Sequence, residues 1–129
     1  MKALKSSKGF TLIEIIAVLV ILGILAAVAV PKYIDMQGEA KKAAAKGQVA
    51  EIKSTLNLAY ASEFLATGTQ PTNVAKVITR AGIGATMGEA PDKWGVKVES
   101  SGNTTAKIKV STYNGLPGYD ATGTWNLPQ

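Results

Sequence analysis

The sequence predicts an α+β fold in which a long N-terminal helix lays its second half against a small antiparallel sheet. Three observations carry this. Ile15 to Val30 is a run of sixteen residues without a charged or strongly polar side chain. Val49, Ile52, Leu56, Ala59, Tyr60 and Phe64 then recur at spacings of three and four, the mark of one helix face. Farther on, 94–99 and 105–111 alternate apolar with polar, the mark of half-buried strands.

Phe10 to Pro31 is 22 residues, roughly 33 Å as a helix. A bilayer core about 30 Å thick needs about 20 apolar residues, so the block is long enough to span. Lys2, Lys5 and Lys8 precede it with no acid among them, which holds that end on the cytoplasmic side. Hydropathy alone leaves two readings open. One is a cleaved secretory signal with Ala27-Val28-Ala29 as its small-residue site; the other is a plain membrane anchor. Neither accounts for Glu14. A charge at the centre of a span costs about 2.5–3.5 kcal/mol, and an intramembrane acid is a functional candidate by default.

Gly9-Phe10-Thr11-Leu12-Ile13-Glu14, behind a short Lys-rich leader and ahead of a long apolar helix, resembles the type IV prepilin signature. The resemblance implies cleavage between Gly9 and Phe10 by a prepilin peptidase on the cytoplasmic face, and N-methylation of Phe10. It makes Glu14 and Phe10 the assembly residues. Cutting before the apolar run keeps the helix in the product and creates an α-amino group on Phe10. In a stack of subunits, Glu14 of one chain then meets the amine of the next, and a pair recovers much of the cost of two buried charges. Gly23, Ala26, Ala27 and Ala29 allow close helix packing, although such residues are common in any membrane helix. Pro31 removes a backbone hydrogen bond and bends the helix. The resemblance implies that the stretch from Gly23 to Pro31 lends a filament extensibility.

Lys32 to Thr67 continues the helix, with Ala40, Ala43, Ala44, Ala45 and Ala50 as strong helix formers. Gly38 and Gly47 weaken it locally, and Thr67-Gly68-Thr69-Gln70-Pro71 ends it. From Phe10 to about Ala66 the helix would run about 85 Å. That is too long for a 129-residue chain to bury by itself. Pro31-Lys32-Tyr33-Ile34-Asp35-Met36-Gln37 resembles the corresponding stretch of pilins of the mannose-sensitive haemagglutinin type.

Asn73 to Arg80 reads as a short helix, followed by a Gly-rich surface loop through Gly82, Gly84 and Gly88. That loop follows no strand and lacks a Lys-Ser/Thr ending, so it is not a phosphate-binding loop. Val96, Val98, Ala106, Ile108 and Val110 face inward on two strands joined by a hairpin turn over 100–104. A third strand is expected near 123–127, and the sheet covers Ile52, Leu56 and Tyr60. Trp94, Tyr113, Tyr119 and Trp125 pack this head. The order of segments is then a leader over 1–9, a membrane or filament-core helix over 10–31, its amphipathic continuation over 32–67, and a β-rich head over 68–129.

Composition excludes several function classes. There is no Cys and no His, which removes disulfides, Cys nucleophiles, His general bases and zinc sites built on either. No Ser lies with a partner acid or Lys in a catalytic pattern, so the chain is not expected to be an enzyme. No cofactor is expected. Asp92, Glu99 and Asp120 stand singly and lack the spacing of a calcium loop, so no metal is expected either. Pro91-Asp92-Lys93-Trp94-Gly95 faintly resembles a turn of major pseudopilins, with the order of residues changed. Of the formal +5 charge, the three leader lysines supply the larger part, and nucleic acid is not an expected partner of the lone subunit. The partners that the resemblance implies are identical or related pilin subunits, inner-membrane lipid before assembly, the prepilin peptidase and methyltransferase, and the pilus assembly machinery. The expected location is the bacterial inner membrane and then an extracellular filament serving adhesion or motility. A pseudopilin of a type II secretion system is the alternative.

Overall fold

The computed structural model describes residues 9–88 and 93–129. The leader lysines lie outside the described residues, as do Asp92 and the first half of the turn compared with major pseudopilins. The chain divides into two compact units, Met1–Gln37 and Gly38–Gln129. Helix α1, Leu12–Thr67, is one continuous element of 56 residues. It starts two positions after the expected Phe10, because Thr11 caps it. It runs through Gly23, Pro31, Gly38 and Gly47 without a break. Its end is set by Gly68 in the left-handed region at φ 69°, whose N–H donates to the Phe64 carbonyl at 2.8 Å.

In the first unit the apolar side chains from Phe10 to Met36 all stand exposed, with Ile13 at 68% and Val28 at 70%. Among the described residues α1 is the one helix long and apolar enough to cross a membrane.

The second unit holds a four-stranded antiparallel sheet in the order β1-β2-β3-β4. The strands are β1 Thr86–Met87, β2 Trp94–Ser101, β3 Thr105–Tyr113 and β4 Leu116–Asn126. Helix α2, Val74–Ala81, is capped by Asn73, whose Oδ1 accepts from Ala75 N–H at 2.8 Å, and closed by Gly82 at φ 63°. Two features depart from the sequence expectation. Part of the stretch read as a loop forms β1, where Thr86 and Met87 pair with Gly95 and Trp94. The third strand begins at Leu116, well before 123. Asn114 (φ 51°) and Gly115 (φ 76°) make a two-residue turn between Tyr113 and Leu116. Positive φ at both positions matches the right-handed twist of the strands, so the turn draws the whole of β4 into the ladder.

The core gathers Ile52 and Leu56 from α1, Val74 and Val77 from α2, and Ile108 and Val110 from β3, each with at most 1% exposure. Inward Val96, Ala106, Ile108 and Val110 are buried, and Val98 is half-buried. The sheet backbone comes close to the helix at Gly123, where a Cβ would stand 2.5 Å from Val49 Cγ1. Trp125 is buried beside it and donates its indole N–H to Asn57 Oδ1 at 2.7 Å. Trp94, Tyr113 and Tyr119 form a separate cluster, with ring centroids 4.7 to 5.5 Å apart.

Candidate assembly site

Between Gly9 and Pro31 the sole ionisable side chain is Glu14. It lies in the first turn of α1, where the helix dipole favours a negative charge. Its carboxylate has partners within its own chain. Oε2 accepts from the Thr11 backbone N–H at 2.8 Å and from the Thr11 hydroxyl at 2.9 Å. In return Thr11 Oγ1 accepts from the Glu14 N–H at 3.4 Å. This is a capping box: it supplies partners to backbone donors that would otherwise face an apolar medium. Both side-chain bonds fall on Oε2, and Oε1 takes part in neither.

Sequence reasoning on Glu14 missed Thr11. The signal was present, since Thr-x-x-Glu before an apolar run is itself a helix-start pattern. The other singled-out residues are placed as follows. Gly9 and Phe10 are exposed and precede α1, with Phe10 at 87%. Gly23 lies inside α1 with nothing within 4 Å of an added Cβ. Pro31 lies within the same helix. A small apolar hollow on this unit is lined by Leu25, Val28, Ala29, Lys32, Tyr33 and Met36.

In the second unit α1 buries Ala45, Gln48, Val49, Ile52, Leu56 and Ala59. Its outward face keeps Leu58 at 71% and Leu65 at 81% exposed. These two are seven residues apart and so share a face. Among the described residues no three acidic side chains converge on a common point.

Comparison with known proteins bears on the same region. Residues 4–30 match the family model of the prokaryotic N-terminal methylation motif. The chain is 42% identical over 66 residues to the type II secretion system core protein G of Pseudomonas aeruginosa, covering 51% of this chain and 46% of that protein. It is 43% identical over 53 residues to the type IV narrow pilus major component PilA5 of Thermus thermophilus, covering 41% of this chain and 46% of the relative. To the type IV major pilin PilA of Myxococcus xanthus it is 50% identical over 40 residues, 31% of this chain and 18% of the relative. The matches thus span less than half the length of these curated relatives. No solved structure matches the chain. The N-terminal methylation motif is present, and the chain resembles both type IV pilins and a type II secretion system core protein.

Proposed function

We propose that this chain is the precursor of a structural subunit of a type IV pilus filament. In this reading prepilin peptidase cuts between Gly9 and Phe10, and Phe10 is N-methylated. Segment 10–31 holds the precursor in the inner membrane. The same segment then packs in the filament core, carrying the continuation over 32–67 and the head over 68–129 to the outside. Identical or related subunits are its partners, delivered by the pilus assembly machinery. The work is mechanical, with no chemistry on a substrate.

The observation that carries this is one acid, Glu14, in an otherwise uncharged apolar segment directly behind Gly9-Phe10. An anchor is weakened by such a residue. A polymer uses it, because the new amine of an adjoining subunit neutralises it and fixes how far that subunit slides before it locks. The match of residues 4–30 to the methylation motif supports the same processing.

The test has two parts. Intact-mass measurement of the chain from membranes should give a product that begins at a methylated Phe10. Electron microscopy of sheared cell surfaces should show filaments that vanish when the gene is deleted. The likeness to a type II secretion core protein favours a second reading, a pseudopilin in a periplasmic secretion piston. That reading predicts loss of exported enzymes on deletion, without loss of surface filaments.

A further inference from the structure

The hairpin between β3 and β4 carries an apolar residue at its tip. Asn114 and Gly115 make the turn, and Leu116, which follows, is 61% exposed. A lone surface leucine means nothing by itself, but this one adjoins a patch. Leu116 stands directly opposite Tyr113, and Tyr113 opposite Trp94. Tyr113 packs on both Trp94 and Tyr119. All three rings are only half-buried. Lys41 Nζ sits over the Tyr119 ring, 5.6 Å from its centre. The patch has a fixed place in the second unit, because β4 follows α1 in register. Gly118 comes close to Lys41, Gly123 to Val49, and Trp125 is tied to Asn57. Leu116 therefore lies at the end of the unit that α1 enters, at Gly38.

We infer that this end of the head, Leu116 with Trp94, Tyr113 and Tyr119, docks on the headgroup layer of a phospholipid bilayer. The inference rests on the reading of segment 10–31 as the part held in the membrane. Tyr and Trp rings have an apolar body and a polar rim, and they collect where lipid meets water. Lys41 passes its methylene chain by Gly118, which leaves its ammonium free to stay in the wet layer. Charge around the tip nearly cancels. Lys42 is paired with Glu39 at 3.2 Å. Asp120 is exposed on the face of β4 opposite to Tyr119. Against it stand Lys41 and the exposed Lys93, whose backbone is bonded to Asn114. The surface is thus suited to zwitterionic lipid rather than to a dense polyanion. Proximity favours lipid over a second copy of the chain. Lys41 is ten residues from Pro31, a tether no longer than about 35 Å even fully drawn out. Extraction of the subunit from the membrane then has to peel off this contact as well as withdraw the helix.

The test uses the full-length chain in phosphatidylcholine vesicles and reads tryptophan emission. Part of the lipid carries a nitroxide quencher on its headgroup. Trp94 meets that lipid in this inference, whereas Trp125 is buried. The chain should lose Trp94's share of the emission, up to about half for one of two tryptophans, and Trp94→Phe should remove that loss. Leu116→Asp should relieve most of the quenching while near-ultraviolet circular dichroism is kept. Raising the salt to about 1 M, where charges are screened beyond about 3 Å, should leave the quenching in place. A chain that does not float with the vesicles overturns the membrane reading of 10–31 and this inference with it. A chain that floats but is not quenched overturns this inference alone, as does quenching lost at high salt. Trp94 shielded from a water-borne quencher only when chains are crowded, without quenching by the lipid, assigns the face to a second copy and overturns it too.

Discussion

Thr11 and Glu14 form a unit at the residue scale. Each satisfies the other at the start of a helix whose next sixteen side chains offer no hydrogen bond of their own except through the backbone. Thr11→Val removes the hydroxyl from this box and should weaken the first turn by about 1 kcal/mol. Amide exchange at 11–15 in detergent should rise accordingly, while the rest of α1 is unchanged. Glu14→Leu removes the charge altogether. It should leave membrane insertion intact and block or misalign assembly, as seen by fractionation and microscopy of the same cells. Normal filaments from that variant would end the case for Glu14 as the register element. Asn114 and Gly115 show the same dependence on single positions. Gly115→Val forces a branched side chain into left-handed backbone, at about 1–2 kcal/mol. The head should then melt roughly 5–15 °C lower, followed by near-ultraviolet circular dichroism.

Elements depend on how a period meets a partner surface. Alternation in β2 and β3 was readable because Val96, Val98, Ala106, Ile108 and Val110 take one side while the charged Lys97, Glu99, Lys107 and Lys109 take the other. The inward face of α1 was readable for the same reason. The first half of β4 was not. Leu116-Pro117-Gly118-Tyr119-Asp120 has no alternation, and only the Asn-Gly pair before it announces a strand. The capping role of Thr11 was legible but lay in the shadow of the charge beside it. The bond from Trp125 to Asn57 joins residues 68 apart, and no local pattern reveals such a pairing. Gly123 belongs here too. It looks like a weak point in a strand, yet there the sheet backbone lies too close to Val49 of the helix for any side chain. Gly123→Val should overpack Val49 and cost about 1–3 kcal/mol, and Ile52→Ala about 2–5 kcal/mol. Chemical denaturation of both variants in detergent gives the comparison.

At the scale of the whole molecule, the two units differ in burial. Among the described residues every buried hydrophobic side chain lies at Ala45 or beyond. The described apolar side chains of the first unit are all exposed. A chain lacking the first 37 residues should therefore retain the sheet and melt cooperatively without detergent. Loss of cooperativity on that truncation would show that the head needs the membrane segment. Burial also sorts the chromophores. Trp94 and Trp125, the chain's two tryptophans, both lie in the second unit, and Trp125 is sealed beneath the sheet with its indole tied to α1. Segment 10–37 carries only Phe10 and Tyr33 as aromatic residues. Intrinsic emission excited at the red edge therefore comes from the head alone. Light from the native, unlabelled chain can thus report whether its head stays folded whatever surrounds its other half.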